Sequence, residues 1–217
     1  ISNNGNMGMD IFDGIGINET TGLISNSGKY GMYILKGDGI NKGTISNTND
    51  YGMYLSDGYT LYTPNGEGIN DFTGIISNIG NYGMYIDSGR VGINRGVISN
   101  AGNYGMYVQN GTGINDGIIS NHGGYGMYVL FGSGKGINNG VISNQGDFGM
   151  YIPNLSGTGT NNGKISNQGN YGIYIQNGTG VNYGVVSNQG DYGITIFSGV
   201  IMNEASGVIE NTGDYGM

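Results

Sequence analysis

Side chains capable of acid–base chemistry are few in this sequence, and several of the acids recur at one place in a repeat. The residue before a recurring Tyr-Gly motif, or its Phe-Gly variant, is an aspartate in four copies: Asp50, Asp147, Asp191 and Asp214. Sugar cleavage needs two carboxyl groups held at a fixed separation across the scissile bond. A column of acids in a turn is more typical of a solvated edge, and we interpret these four residues as surface residues.

Other catalytic groups are also scarce. The guanidinium groups are limited to Arg90 and Arg95, and the single imidazole, His122, stands in a turn column otherwise filled by Asn, Ser, Thr, Ile, Ala and Gln. The absence of cysteine excludes disulfides, zinc–thiolate sites and thiol nucleophiles. Gly-x-Gly stretches such as residues 111–113 lack the helix that a nucleotide fingerprint requires. We therefore predict no enzyme activity, no catalytic residue, no cofactor and no metal site.

The composition narrows the class of partner. Seven Lys or Arg against 15 Asp or Glu give a formal charge of −8, which argues against nucleic acid. Glycine contributes 48 of the 217 residues, while Ile, Val, Met and Tyr supply too much apolar surface for a simple disordered linker. The chain therefore has to bury an apolar core despite its glycine content.

A repeat of about 22 residues covers nearly the whole chain. Its clearest marker, Ile-Ser-Asn or a close variant, occurs ten times at intervals of 21 to 23 residues, with one interval of 31. Each unit divides at glycines into three apolar pieces of three to five residues, which are too short for helices and typical of strands. A unit of this size encloses no core alone, so neighbouring units must stack.

Stacking of equivalent strands predicts an all-β fold, a right-handed parallel β-helix or solenoid with about 22 residues and three short strands per rung. About ten rungs at the inter-strand spacing of roughly 4.8 Å would form a rod on the order of 45 Å long. We expect residues 1–217 to be a single solenoid segment of a longer array, with an inserted loop at residues 56–67.

Substitutions within each aligned column predict which way the column faces. The Ile of Ile-Ser-Asn is Ile or Val in every copy and is assigned to the core, whereas the residue before it includes Thr44 and Lys164 and is assigned to the surface. In Tyr-Gly-Met-Tyr-Ile, alternation places the first Tyr, Met and Ile inside, and the replacements Met7 and Phe148 favour this for the first Tyr. Asparagine closes the Ile-Ser-Asn piece in all ten copies, counting Asn211 after Glu210, and closes the third piece nine times, which predicts two stacked amide ladders.

The second tyrosine of the motif is the leading candidate for recognition. Its column accepts Asp10 and Thr195, so we predict that it faces water. Tyrosine joins a broad apolar ring to a polar hydroxyl, a combination that suits sugars or proteins; a purely structural aromatic ladder is the alternative. The candidate contact residues in this column are Tyr33, Tyr54, Tyr85, Tyr107, Tyr128, Tyr151 and Tyr174.

The insertion at residues 56–67 is the second candidate contact site. It reads SDGYTLYTPNGE and adds Tyr59 and Tyr62 as candidate contact residues, together with Pro64. Protruding loops on repeat proteins often form binding edges. A tolerated surface insertion is the alternative interpretation.

The style of the repeat resembles the passenger domains of large Gram-negative autotransporter adhesins, especially the fusobacterial type rich in Gly-Ile-x-Asn and Tyr-Gly-Met-Tyr-Ile-like units. The resemblance covers all ten copies, including residues 136–144, GINNGVISN. It implies a surface-anchored or secreted rod, exported through an outer-membrane β-barrel translocator in the parent chain. It also implies adhesion to a glycan or protein on a host or bacterial surface.

Two further functions fit the same sequence. A passive stalk would hold a distal functional domain away from the membrane. A self-assembling extracellular filament would form by end-to-end self-association, because open strand edges template pairing. All three interpretations place the protein outside the cell, and attachment is the function that we expect.

Overall fold

A computed structural model describes residues 1–56, 66–87, 89–130 and 132–217. Within these residues every regular element is a β-strand, 28 in all, and consecutive strands fall in turn into three sheets. No helix in this part of the chain is long and apolar enough to cross a membrane.

Each piece of the repeat forms one sheet. Sheet A holds the Ile-Ser-Asn strands: β1 (Ser2–Asn3), β4 (Leu23–Asn26), β7 (Thr44–Asn47), β10 (Ile75–Asn78), β13 (Val97–Asn100), β16 (Ile118–Asn121), β19 (Val141–Asn144), β22 (Lys164–Asn167), β25 (Val185–Asn188) and β28 (Val208–Asn211). Sheet B holds the tyrosine strands: β2 (Met7–Ile11), β5 (Tyr30–Ile34), β8 (Tyr51–Leu55), β11 (Tyr82–Ile86), β14 (Tyr104–Val108), β17 (Tyr125–Val129), β20 (Phe148–Ile152), β23 (Tyr171–Ile175) and β26 (Tyr192–Ile196). Sheet C holds the remaining strands: β3 (Ile15–Asn18), β6 (Asp38–Asn41), β9 (Glu67–Asn70), β12 (Val91–Asn94), β15 (Thr112–Asn115), β18 (Lys135–Asn138), β21 (Thr158–Asn161), β24 (Thr179–Asn182) and β27 (Val200–Asn203).

The strands of each sheet pair in parallel and in register, so each residue lies beside its equivalent in the next unit. Ile76, for example, pairs with Ile45 on one side and with Ile98 on the other. One rung therefore consists of one strand from each sheet. The predicted parallel β-solenoid with three strands per rung is confirmed.

The core is narrow and is filled from two of the three sheets. The isoleucines of sheet A and the Met and Ile columns of sheet B are almost completely buried. Sheet C contributes Gly and Asn at its inward positions, and a Cβ at Gly39 would overlap the side chain of Ile34. Glycine in sheet C therefore makes room for the bulky side chains of sheet B.

The first tyrosine of the motif lies outside, and its predicted inward position is wrong. Tyr82 and Tyr85 are both partly exposed on the outer face, with ring centroids 5.2 Å apart, whereas Gly83 and Met84 between them are both buried. The strand does not alternate here, and Gly83 is passed over in the pairing with the next strand. A Cβ at Gly83 would overlap Ile98 of sheet A, so only glycine can face inward at this point.

Two amide ladders run along the rod, as predicted. Each buried asparagine donates from Nδ2 to Oδ1 of its equivalent in the next rung, at 2.7–2.8 Å along sheet C from Asn18 to Asn203. The sheet A ladder runs from Asn26 to Asn211 with distances of 2.9–3.2 Å. Asn3 instead donates to the carbonyl of Met7, so this ladder begins one rung later than predicted.

The three corners of the rod differ in how much their length varies from rung to rung. Three residues join sheet A to sheet B in every rung, and two or four join sheet C to sheet A. Between sheet B and sheet C the connection ranges from three to eleven residues. The insertion predicted at residues 56–67 falls in the connection between β8 and β9 at this B–C corner, except for Glu67, which is the first residue of β9.

Candidate functional site

Sheet B presents two adjoining columns of stacked aromatic rings on its outer face. We call the first stack the column Tyr30, Tyr51, Tyr82, Tyr104, Tyr125, Phe148, Tyr171, Tyr192 and Tyr215, whose successive centroids are 4.9–5.1 Å apart. The second stack contains Tyr33, Tyr54, Tyr85, Tyr107, Tyr128, Tyr151 and Tyr174, with successive centroids 4.8–5.5 Å apart. The seven candidate tyrosines of the repeat are thus brought together in one column, which is stacked except where the Tyr128 and Tyr151 rings meet edge to face at 69°.

The stacking decides which part of each ring is available to a ligand. Rings of the first stack lie within 15° of parallel, and edges of one stack meet faces of the other, as in the Tyr104–Tyr107 pair. Tyr107 is only 9% exposed. Because the ring faces are used within the rod, the surface presents ring edges and hydroxyl groups.

Several hydroxyl groups of the second stack are held at the B–C corner. Tyr54 donates to Asp87 at 3.4 Å, and Tyr151 donates to Gln176 at 2.7 Å. Tyr85 donates in the same way to Gln109. In each case the acceptor is the first corner residue of the following rung, so the second stack ends directly on the variable corner.

The tyrosine hydroxyl groups are kept neutral. Burial raises the pKa of Tyr51 to about 12, with smaller contributions from Tyr82, Tyr30 and Asp50. Burial also raises the pKa of the second-stack tyrosines 54, 85, 107 and 128, and the carboxylate of Asp87 adds to the effect at the first two. These phenols therefore act as hydrogen-bond donors and acceptors and not as nucleophiles near neutral pH.

Arg90 lies at the B–C corner of the rung that follows the insertion. Its side chain is 1% exposed and donates to the carbonyl oxygens of Leu35 at 3.3 Å and Gly37 at 3.0 Å, across the rung that contains the insertion. In a regular corner such a carbonyl accepts a backbone N–H from the next rung, as Gly14 does from Asp38. The N–H of Glu67 instead donates to Asp38 Oδ1 at 2.8 Å. The guanidinium thus supplies a donor to the carbonyl oxygen of Gly37, whose equivalent in the regular corner, that of Gly14, accepts a backbone N–H.

Other predicted residues lie where the sequence placed them or outside the described residues. Tyr59, Tyr62 and Pro64 of the insertion fall outside the described residues. His122 is exposed in a turn, with Nδ1 3.4 Å from the carbonyl oxygen of Asn100. Asp50 is partly exposed and accepts from Asn81 at 3.2 Å. The described residues contain no cluster of three or more His, Cys, Asp or Glu side chains that could hold a metal ion.

Sequence reasoning did not identify the role of Arg90. One signal was present, because the corner at residues 87–90 is one residue longer than the commonest B–C corner and directly follows the rung with the insertion. An arginine in an otherwise weakly charged repeat, next to an irregular rung, is a candidate for such a replacement. The outward position of the first stack was signalled only by the glycine that follows it in every copy.

Comparisons of this chain with protein-family models, curated proteins and solved structures give no match.

Proposed function

We propose that this chain forms the rod of a bacterial surface-anchored or secreted adhesin and attaches to a glycan or protein through its B–C corner. The observation that carries the proposal is the contrast between one variable corner and two nearly constant ones on a repetitive rod. Insertions in repeat proteins commonly map to loops on one face, and that face is often the binding face.

The chemistry of the corner supports contact with polar partners. The second stack supplies tyrosine edges and hydroxyl groups along the corner, and the sequence of the insertion adds Tyr59 and Tyr62. Tyrosine serves well in recognition because it offers a large contact area at low conformational entropy. The resemblance to autotransporter passengers supports an extracellular location and a translocator in the parent chain.

A passive stalk is the second candidate, and the stacking of the rings favours it. A sugar commonly packs against an exposed aromatic face, whereas these faces are covered by neighbouring rings. Stacked rings and amide ladders in successive rungs would stiffen the rod whether or not it binds a partner. In this role the chain supplies reach, and recognition belongs to another part of the parent protein.

Adhesion of chain-coated beads to epithelial and bacterial cell layers separates the two candidates. We expect the wild-type chain to hold the beads and the variant Tyr59→Ser/Tyr62→Ser to release them. Tyr183→Ser, which changes an exposed tyrosine at the C–A corner, is the matched control and should retain adhesion. If folded wild-type chain holds no beads, or if the insertion variant holds them equally well, attachment through the B–C corner is wrong.

A further inference from the structure

The outer face of sheet A is an apolar ridge beside a shallow groove. The first residue of each strand from β4 to β28 points outward and is aliphatic in seven of nine strands, the exceptions being Thr44 and Lys164. Leu23, Ile75 and Ile118 are 51%, 42% and 44% exposed. The third residue also points outward and is serine from β4 to β25. Large and small side chains thus form two parallel columns along the rod, which we call the aliphatic column and the serine column.

This face differs in charge from the rest of the surface. From β4 to β19 neither column contains a charged residue, although the chain carries a formal charge of −8. The equivalent outward column of sheet C contains Asp38, Glu67 and Lys135. Apolar sheet faces of parallel strands are normally covered, and contiguous exposed apolar patches mark interaction sites.

We propose that this face binds a second copy of the same chain, with the two rods side by side and parallel. A two-fold axis along the rods places the aliphatic column of each copy opposite the serine column of the other. The ridge then enters the groove at every rung, because both copies share one rung spacing. An antiparallel pair would instead place ridge against ridge.

The same two-fold axis brings the corners on either side of sheet A against complementary corners of the other copy. The corner before each strand faces the corner after the same strand of the other copy. Across β4 this opposes Glu19 to Lys29, and across β7 it opposes Lys42 to Asp50. Within each copy Glu19 and Lys42 already pair at 3.6 Å. Lys29 lies over the rings of Tyr30 and Tyr51 in its own chain. Opposite charges at the rim of an interface set orientation and register more than affinity.

Two further rungs match in the same way. Across β10, Phe72 is opposed to Ile79, and these apolar side chains are 77% and 64% exposed. Across β16, Asp116 is opposed to His122. Farther along, β28 would oppose Glu204 to Asp214, so the contact is centred on the rungs from β1 to β19.

The size of this face fits a stable dimer. Seven strands and one corner residue on each side cover about 34 Å by about 20 Å, so two copies bury about 1,400 Å² in total, within the usual range for specific interfaces. The longest connections of the chain lie at the B–C corner, on the far side of the rod, and do not flank this face.

Sedimentation equilibrium over a range of concentrations tests the contact. We expect the wild-type chain to dimerise and Val97→Lys/Ile118→Lys to weaken the dimer about tenfold or more, since charge in the centre of an interface is costly. Lys164 occupies the same column naturally, so the fold accommodates lysine there. Val91→Lys/Thr112→Lys places the same charges in sheet C, where Lys135 occurs naturally, and should dimerise like wild type. A monomer at every concentration, or equal weakening by both variants, would overturn the proposal.

Oxidative cross-linking tests the orientation, and the chain offers a clean background because it has no cysteine. Chains carrying Ile118→Cys and chains carrying Ser120→Cys are mixed and oxidised. The parallel pair predicts cross-links between the two kinds of chain. A mixture that forms no cross-link between the two kinds of chain would overturn the proposed arrangement.

Discussion

Arg90 shows how one side chain adapts the repeat to an insertion. Its guanidinium donates to two carbonyl oxygens at the B–C corner two rungs away. Leaving a buried carbonyl group without its charged donor costs more free energy of folding than losing an average hydrogen bond. The side chain therefore joins the rungs on either side of the insertion.

We expect Arg90→Ala to lower the free energy of unfolding by about 2–4 kcal/mol, because it leaves buried carbonyl oxygens without a donor. Arg95→Ala is the control, since Arg95 is more exposed and lies 4.0 Å from Asp71. It should cost less than about 0.5 kcal/mol, as exposed ion pairs do. Urea unfolding of the two variants measures the difference, and similar costs would contradict the role given to Arg90.

The raised pKa values of the stacked tyrosines predict a loss of stability in alkali. An unfolded tyrosine ionises with a pKa of about 10, whereas Tyr51 in the rod ionises at about 12. The folded state therefore holds protons that the unfolded state releases, and stability falls as the pH rises from about 10 to about 12. Below about pH 9 this contribution is fully present.

Melting temperature followed from pH 8 to pH 12, together with phenolate absorbance, tests this expectation. Tyr51→Phe should melt less steeply with rising pH than the wild-type chain, because one raised pKa has been removed. A melting temperature that does not change through this range would show that the phenols are not held neutral by the fold.

The outward direction of the second stack could be predicted from single substitutions, whereas that of the first could not. Asp10 and Thr195 favour an outer position, and the second stack lies on the outer face, although Tyr107 is only 9% exposed and the hydroxyl oxygen of Thr195 is buried. Met7 and Phe148 are apolar, and they fit equally well in a core or in an external aromatic stack. An apolar replacement therefore shows that a column prefers a bulky side chain, but not whether the column faces the core or the solvent. The expected alternation of inward and outward residues was wrong at the glycine that follows the first tyrosine.

At the scale of the strands, the buried asparagines make the hydrogen bonds that depend most on an identical side chain in the neighbouring rungs. Each amide in the middle of a ladder donates to one neighbour and accepts from another, as Asn115 does between Asn94 and Asn138. It also donates to the backbone of the following rung, at Val141. Loss of one amide therefore affects three rungs.

We expect Asn115→Ala to destabilise the rod by about 1–3 kcal/mol, since buried polar partners are left unsatisfied. Asn103→Ala is the control, because Asn103 is exposed and bonds Asn81 at 3.2 Å. It should change stability by less than about 0.5 kcal/mol. Equal effects in thermal unfolding would mean that the buried ladder is not a source of stability.

The glycine after the first tyrosine sets the bend of each sheet B strand. A Cβ at Gly105 would overlap Ile119 and lie 2.7 Å from the carbonyl oxygen of Gly126. We expect Gly105→Ala to cost about 1–3 kcal/mol, the usual cost of overpacking. In Gly124→Ala the nearest heavy atom would be 4.0 Å away, so stability should be unchanged. Thermal unfolding compares the stability of the two variants. A Gly105→Ala variant as stable as the wild-type chain would contradict the close packing assigned to Gly105.

The strands themselves followed from the sequence because every unit repeats the same three apolar pieces. Stacking of identical columns then fixed the register, as the Ile76 and Ile98 pairing illustrates. The division of the corners into constant and variable ones also follows from the intervals between markers. The intervals cannot predict which side chain binds the carbonyl oxygens near an irregular corner. Those bound by Arg90 are more than 50 residues away from it in sequence.

At the scale of the whole molecule, the rod separates the residues that build it from those available to partners. The cores of the rungs, the amide ladders and the ring faces are used in stacking, and the B–C corner alone varies widely in length. The proposed adhesin binds at that corner, and the proposed dimer leaves it free because sheet A lies on the opposite side. The two proposals therefore use different surfaces and can be tested separately.

Binding of the chain to an array of glycans and host-surface proteins tests the adhesin account most directly. The array is probed with wild-type chain, with Tyr59→Ser/Tyr62→Ser, and with Tyr85→Phe/Tyr107→Phe/Tyr128→Phe, which removes hydroxyl groups but keeps the stacked rings. We predict saturable binding by the wild-type chain that is lost in the insertion variant and weakened in the hydroxyl variant. An absence of saturable binding by the folded wild-type chain, or equal binding by all three proteins, would contradict the account.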